Sequence, residues 1–545
     1  MTPAPAADRP PSPAVPRRDV LRFGGATLLA GALAACTRGS ELTPSSSAAP
    51  TTSVASASSA APTTETAAAS SSSAPTFSSL SQQISGGLLQ PGDRGYRPES
   101  LLYNPRFAQQ RPPQAIAMCR SSVDVQACVR FCADSGIPLR IRNGGHSYGG
   151  WSSGPGLVAN LAELNALDVD TAKMTAKVGA GALLADVYTE LDAKGVSIGA
   201  GSCPTVGITG LTLGGGVGVL TGAYGLACDQ LAAVDLITAD GRLQTVSATT
   251  QPDLFWALRG GGGGSFGAVT ALTFRVRPAP TIGTYYLQWP WRSAAAVLTA
   301  WQHWIGGTAR ELWSTCKLLV EPGRGQRVVI AGTWLGTKVG LDAQLQPLLG
   351  ALPPPVTNTR TSAGYAATML SEAGCSPRAS AATCIAGSLT PARRQPFSAT
   401  SSILRQPLPA AGVAAIVAAT AAGSGVPGMV EGGVSFDSLG GAVDDLAPTA
   451  TAFPWRGCLA DLQYTATWSA TRAAANPAPY DAYVQRLRRS LTPWLGGSAY
   501  LNYADPTITA YPAAYWDGNL PRLQQVKRAH DPHNLFSFPQ SVPLR

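Results

Sequence analysis

The chain has 545 residues, 45% of them apolar and 13% charged, with a formal net charge of +9. That is enough for two or more packed domains, and the mild basic excess forms no Lys/Arg stripe interleaved with aromatics, so nucleic acid is not an expected partner. Ten cysteines without one C-x-x-C, and only four histidines, argue against a structural zinc site.

Residues 1–36 read as an export signal. Arg17-Arg18-Asp19-Val20-Leu21-Arg22 has the twin-arginine form, and the apolar run from Phe23 to Ala35 is short for a membrane span. Leu33-Ala34-Ala35-Cys36 resembles a lipobox, with Cys36 as the lipid-modified mature N-terminus. Loss of this segment leaves a net charge of +7. Residues 37–85 are rich in Ser, Ala, Thr and Pro, which bury too little surface to offset ordering entropy, so a disordered tether is expected there. The expected location is the cell surface or periplasm, with membrane contact only through the lipid at Cys36.

Further on, a strand from Ala115 to Met118, a helix from Ser122 to Ser135 and a strand from Leu139 to Arg142 lead into the loop RNGGHSYGG. Strands follow at Val158 to Leu161, Leu167 to Asp170 and Thr175 to Gly179. A helix from Leu183 to Lys194 then enters GAGSCPTVGITGLTLGGGVG. Leu231 to Thr238 and Leu243 to Val246 flank Asp240-Gly241 and read as a hairpin. A short helix from Pro252 to Arg259 precedes the glycine run Gly260 to Gly264 and a strand from Ala268 to Arg277. Gly262-x-Gly264-x-x-Gly267 matches a dinucleotide fingerprint and Gly263-x-Ser265-x-Gly267 a hydrolase elbow. Both need a strand before and a helix after, the reverse of the order here, so both are rejected.

Past Pro278 to Pro280, strands are expected at Thr284 to Pro290, Thr315 to Leu319, Val328 to Thr333, Met429 to Leu439 and Cys458 to Trp468. Helices are expected at Arg292 to Ile305, Asp342 to Leu349 and Pro409 to Ala422. Pro353 to Thr390 shows no clear period and is left unassigned, with long loops as one reading. Cys375 and Cys384 flank a short Ser/Ala/Pro-rich segment and form the best disulfide pairing, whereas Cys128 and Cys132, one helical turn apart, read as packed thiols. Trp289, Trp291, Trp301, Trp304, Trp313, Trp334 and Trp468 read mainly as core, some of them available to a ligand face. His530 and His533 read as a turn opening a last strand rather than a metal pair.

Two residues stand out, His146 and Cys203, each embedded in glycines that let a large planar ligand approach the backbone. Either alone is more often a turn or core residue. Taken together with DPHNLFSFPQSVP near the C-terminus, these strings resemble the berberine bridge enzyme family of flavin oxidases, over about Gln90 to Arg545. The resemblance implies an α+β fold with a PCMH-type (vanillyl-alcohol oxidase-like) FAD-binding domain at 86–280. It implies a substrate domain at 281–497, an antiparallel sheet covered by helices, and a C-terminal segment at 498–545 returning to the FAD domain.

It further implies FAD bonded at two points, through an 8α-histidyl link to His146 and a 6-S-cysteinyl link to Cys203. Arg142, Asn143, Gly144, Gly145 and Ser147 would surround the first link, and Val206, Gly207, Thr209, Gly210, Gly214 and Gly215 the second. Gly267, Val269 and Asn502 complete the cofactor set. Val206 matches the family position that gates oxygen. For the base the family points to YLNY, with Tyr503 first and Tyr500 second, its pKa lowered from about 10 by cations or hydrogen bonds. Tyr148 would help place donor or base, and Asp461 and Gln463, alternating on one strand face, would assist. The tyrosine that plant members carry fourteen residues after the flavin cysteine is Val217 here, so no mechanism through that side chain carries over.

The resulting expectation is an exported FAD oxidase of an alcohol or hemiacetal carbon, with O2 reduced to H2O2. Twin-arginine export of folded protein suits a cofactor loaded in the cytoplasm. Oligosaccharides and secondary-metabolite hydroxyls are the open donor classes, and the oligomeric state is open. The alternatives are a dehydrogenase serving a quinone or protein acceptor, and a non-catalytic surface protein stabilised by flavin.

Overall fold

The computed structural model describes residues 76–108, 112–469, 471 and 476–545. The export signal, Cys36 and the tether as far as residue 75 lie outside the described residues. The tether was expected to run to residue 85, and here the structure differs. Phe77–Ser81 is a helix capped by Thr76, and Leu80 and Ile84 are buried in a core with Val125 and Cys128. Ser85 donates from its amide and its hydroxyl to buried Asp124, fastening this segment to the next helix.

That next helix, Ser122–Ser135, begins where the Ser121 side chain accepts from the Asp124 amide and stops at Gly136, whose φ of 69° an L side chain resists. It packs on a four-stranded sheet in the order Leu88–Leu89, Ala115–Met118, Leu157–Asn160, Leu139–Arg142, the last three parallel. A five-stranded antiparallel sheet follows, in the order Leu167–Asp170, Thr175–Gly179, Ala268–Arg275, Leu231–Ile237, Leu243–Ser247. Both sheets have helices at their sides, so the α+β expectation holds. The Asp240-Gly241 hairpin closes as expected, with Gly241 at φ 73°.

The third large sheet has seven antiparallel strands, ordered Thr357–Gly364, Thr281–Pro290, Gly325–Trp334, Leu312–Glu321, Met429–Ser438, Ala460–Trp468, Phe397–Leu404. Alternation splits each central strand into two faces. Leu462, Tyr464, Ala466 and Trp468 join Phe436, Leu318 and the helices Ala294–Ile305, Ala410–Ala421 and Ala478–Leu495 in one core. Trp289, Trp301 and Trp468 are fully buried there, each worth about 5 kcal/mol of apolar transfer at most. The opposite face, with Gln463, Thr465 and Thr467, turns toward the flanking sheets.

Pro353 to Thr390, unassigned from sequence, is largely regular structure. It contains the edge strand Thr357–Gly364 and the helices Tyr365–Glu372 and Ala381–Ser388, joined by the expected Cys375–Cys384 disulfide. Tyr365 and Met369 lie in the core of the five-stranded sheet and Leu370 packs on Ala185, so this part of the 281–497 range sits on the first unit. Cys128 and Cys132 remain thiols, with Cys119 Sγ 3.8 Å from Cys128 Sγ.

The C-terminal segment also packs on the first unit, through Tyr515, Trp516, Leu523 and Val542. The strand expected after His533 does not form; His530 ends the helix Leu520–His530 and the chain finishes without regular structure. Arg456 joins the two units, donating from Nη1 and Nη2 at 2.7 Å each to the two oxygens of buried Asp229.

Candidate active site

The two glycine loops meet backbone to backbone. A Cβ on Gly144 would lie 2.4 Å from the Gly207 nitrogen, and one on Gly207 2.6 Å from the Gly144 nitrogen, so neither position tolerates a side chain. One carbonyl fastens both loops, because Asn143 Nδ2 and Thr209 Oγ1 both donate to Ala180 O, at 2.6 and 2.9 Å. The second loop is also pinned along the helix Leu184–Ala193, where the Leu184 amide donates to Val206 O and the Ala185 amide to Pro204 O.

This packing brings His146 beside the cysteine loop. Its Nε2 is 2.9 Å from Thr205 Oγ1, and the Tyr103 ring stacks on the imidazole at 3.7 Å between centroids. Burial, with the Arg394 charge adding to it, holds His146 down at about 3. The ring is therefore neutral at ordinary pH, with a lone pair available. Cys203 lies on the same cavity wall, two residues before Thr205.

The cavity, about 320 Å³, runs between these loops and the seven-stranded sheet. Among the expected cofactor residues, Asn143, Gly144, Gly145, Ser147, Val206, Gly207, Thr209, Gly210, Gly267, Val269 and Asn502 line it with His146 and Cys203. Gly262, Gly263 and Gly264 from the rejected fingerprint line it as well. A long cleft walled by glycine backbone, with two nucleophiles on one side, fits a planar cofactor that carries a phosphate tail.

The far wall comes from strand alternation. Gln463, Thr465 and Thr467 face inward, joined by Asp437 and Trp313 from neighbouring strands and by Phe397, Tyr148 and Tyr503. Gln463 Nε2 donates to the Tyr148 hydroxyl at 2.6 Å, and the Tyr148 and Tyr503 rings stack at 5.5 Å. Asp437 and Phe397 were not singled out as site residues from sequence, and Trp313 only as one of the tryptophans of which some could serve a ligand face. Asp437 had a signal, a carboxylate among the apolar and small residues that end the strand Met429–Ser438.

Five expected site residues sit elsewhere. Arg142 turns its buried guanidinium away from the cavity toward Glu99, 3.6 Å off, while Arg140 lines the wall. Gly214 and Gly215 pack behind it, since a Cβ would meet Asn502 Oδ1 at 2.0 Å and Phe453 at 3.0 Å. Tyr500 is 2% exposed and is a support for this loop: its hydroxyl accepts from the Gly216 and Val217 amides and from Asn502 Nδ2. Asp461 lies deeper along the same strand face as Gln463, outside the cavity lining.

The expected cationic lowering of Tyr503 is also absent. Burial, then the charges of Asp461 and Asp437, push its phenol well above its ordinary value, so Tyr503 keeps its proton. Tyr148 is likewise raised by burial.

Asp461 pairs across the strands with Asp437, and neither of its oxygens has a hydrogen-bond partner. Burial first, then the Asp437 charge, raise it well above the usual carboxyl range. An unfolded Asp ionises near 3.9, so between that pH and the higher folded pKa the folded state holds a proton the unfolded chain has lost. Folding then loses up to about 1.4 kcal/mol per pH unit. Asp461→Asn removes this cost: its melting temperature should match the parent at pH 4 and exceed it increasingly as pH rises. A gap constant with pH would refute the assignment.

Two family models match the chain: an FAD binding domain over residues 113–247, and berberine and berberine like over residues 499–543. The uncharacterized FAD-linked oxidoreductase YgaK of Bacillus subtilis (strain 168) is 33% identical over 468 residues, covering 85% of this chain and 97% of that protein. The solved structure of Physcomitrella patens BBE-like 1 superposes with a TM-score of 0.77 at 28% identity, covering 86% of this chain and all of the other. A chitooligosaccharide oxidase structure gives 0.76 at 27% identity, over 85% and 98% of the two chains.

Proposed function

Because the chain belongs to the berberine bridge enzyme-like family of FAD-linked oxidoreductases, we propose that it is an oxidase with FAD bonded to both His146 and Cys203. Its donor carries an alcohol or hemiacetal carbon, for which an oligosaccharide is the favoured class, and O2 is reduced to H2O2. The observation that carries this reading is the back-to-back contact of Gly144 and Gly207, which puts a neutral imidazole and a thiol on one wall of a single cavity.

Bound FAD supplies a two-electron acceptor for a hydride and returns the electrons to oxygen. The chain supplies the rest. His146 and Cys203 hold the cofactor, and the glycine backbone leaves it room. Gln463 donates to Tyr148, so the Tyr148 hydroxyl proton points onward, to a donor oxygen. Tyr503 takes the donor's hydroxyl proton as its own moves toward Asp437, the carboxylate on the same wall. Gln463, Thr465 and Thr467 present a row of polar groups, and Trp313 and Phe397 give apolar faces, a combination suited to a polyhydroxylated ring. Val206, the position linked by resemblance to oxygen access, lines the cavity.

Export by the twin-arginine route and lipid anchoring at Cys36 belong to this proposal on the leader sequence. Among the described residues no helix is long and apolar enough to cross a membrane.

One preparation tests the reading. After acid precipitation the yellow colour should stay with the pellet, and sugars, alcohols and phenolics offered in air should release peroxide in step with donor consumed. Colour in the supernatant ends the covalent claim. Flavin reduction without peroxide from any donor ends the oxidase claim in favour of a dehydrogenase.

A further inference from the structure

The His146 imidazole is held at one ring nitrogen and on one ring face before any cofactor is considered. Thr205 Oγ1 is 2.9 Å from Nε2, Tyr103 covers one ring face, and the Tyr103 amide donates to Gly145 O at 3.1 Å, tying that aromatic to the loop it covers. Thr205 is fixed in turn. It lies in the turn closed by the Val206 amide on Cys203 O, and its own carbonyl would be 2.7 Å from a Cβ on Gly144. One turn of chain therefore carries Cys203 and the hydroxyl that contacts His146.

We propose that Thr205 is a positioning residue for the histidyl bond: by accepting the Nε2 proton it fixes the tautomer and ring angle and leaves Nδ1 as the attacking nitrogen. The inference rests on the covalent reading above. Attachment replaces one C–H bond of the flavin 8-methyl group with a carbon–nitrogen bond. The imidazole gives up its proton, and two electrons and two protons pass to O2 as H2O2. The attacking group must be neutral and aimed, and Thr205 does the aiming. Cys203 forms its bond with its own sulfur and does not need this contact, so the two links should respond differently.

The test compares Thr205→Val, which keeps the shape and removes the hydroxyl, with Thr205→Ser, which keeps the hydroxyl. Each protein is purified with its flavin, digested, and the flavin-bearing His146 and Cys203 peptides are quantified by mass spectrometry. Melting temperature and visible spectrum report folding and flavin retention. Thr205→Val should lose at least tenfold in His146–flavin peptide while keeping the Cys203–flavin peptide, and Thr205→Ser should recover the wild-type ratio. Wild-type His146 attachment in Thr205→Val overturns the proposal, as does equal loss at both links. A wild-type protein with no His146–flavin peptide overturns the covalent reading itself, which the variants alone would not do.

Discussion

Tyr503→Phe should slow reduction of the bound flavin by its donor by about 10²–10⁴-fold, the range for loss of a positioned proton-transfer group, and leave the visible spectrum of the oxidised protein unchanged. Tyr503 lines the cavity between Tyr148 and Tyr500, its ring 5.5 Å from the first and 5.0 Å from the second. The phenylalanine keeps both ring contacts, so packing and flavin attachment are preserved and only the hydroxyl is lost. Anaerobic mixing with the donor that gives most peroxide, followed by flavin absorbance, separates reduction from oxygen turnover. Tyr500→Phe is the informative contrast. That hydroxyl accepts from two loop amides and Asn502, so its loss should lower thermal stability and loosen the Gly214 to Gly218 segment rather than abolish reduction. Unchanged reduction in Tyr503→Phe would place proton transfer on Asp437 without a phenol between.

YLNY shows what a sequence withholds. Tyr500 and Tyr503 are alike in the string, and only the 3-10 turn Leu501–Tyr503 decides that one hydroxyl props the glycine loop while the other faces the cavity. Elements with local determinants were readable: the Ser121-capped helix, the Asp240-Gly241 hairpin and the Cys375–Cys384 bridge each depend on residues a few positions apart. The strand Phe397–Leu404 was missed because its Ser and Thr content resembles a loop. Tertiary partners satisfy two of those hydroxyls, Asp481 and Arg106 at Ser398 and the Tyr500 backbone at Ser401, while Thr400 Oγ1 is buried without a partner. The Asp437–Asp461 pair was half visible, since two carboxylates far apart in sequence become neighbours only through sheet register. Glycine loops were readable as cofactor-lining, but which glycines face the ligand and which face Asn502 or Phe453 depends on packing that composition does not encode.

The C-terminal string with His530, Asp531 and His533 carries its own consequence, and the acid between the histidines is the residue that matters. Lys527 and Asp531 are both fully buried. Lys527 Nζ donates to Asp531 Oδ2 at 2.6 Å and to Ser265 O and Phe536 O at 2.7 Å each, and Asp531 accepts from the Leu535 and Phe536 amides. One ammonium thus ties the last helix, the chain end and the segment after Gly264. Phe536 and Phe538, held by this knot, line the cavity. Lys527→Met leaves a buried carboxylate without its counter-charge and two carbonyls without a donor, which should cost about 3–5 kcal/mol. Denaturant unfolding should show that loss, and the flavin-to-protein ratio should fall with it. Pairing the change with Asp531→Asn removes the orphaned charge and should return part of the stability. If Lys527→Met costs less than about 1 kcal/mol, well below the 3–5 expected for an uncompensated buried charge, the knot does not hold the chain end. If the double variant is no more stable than the single, the cost lies in the lost carbonyl contacts and not in the buried charge.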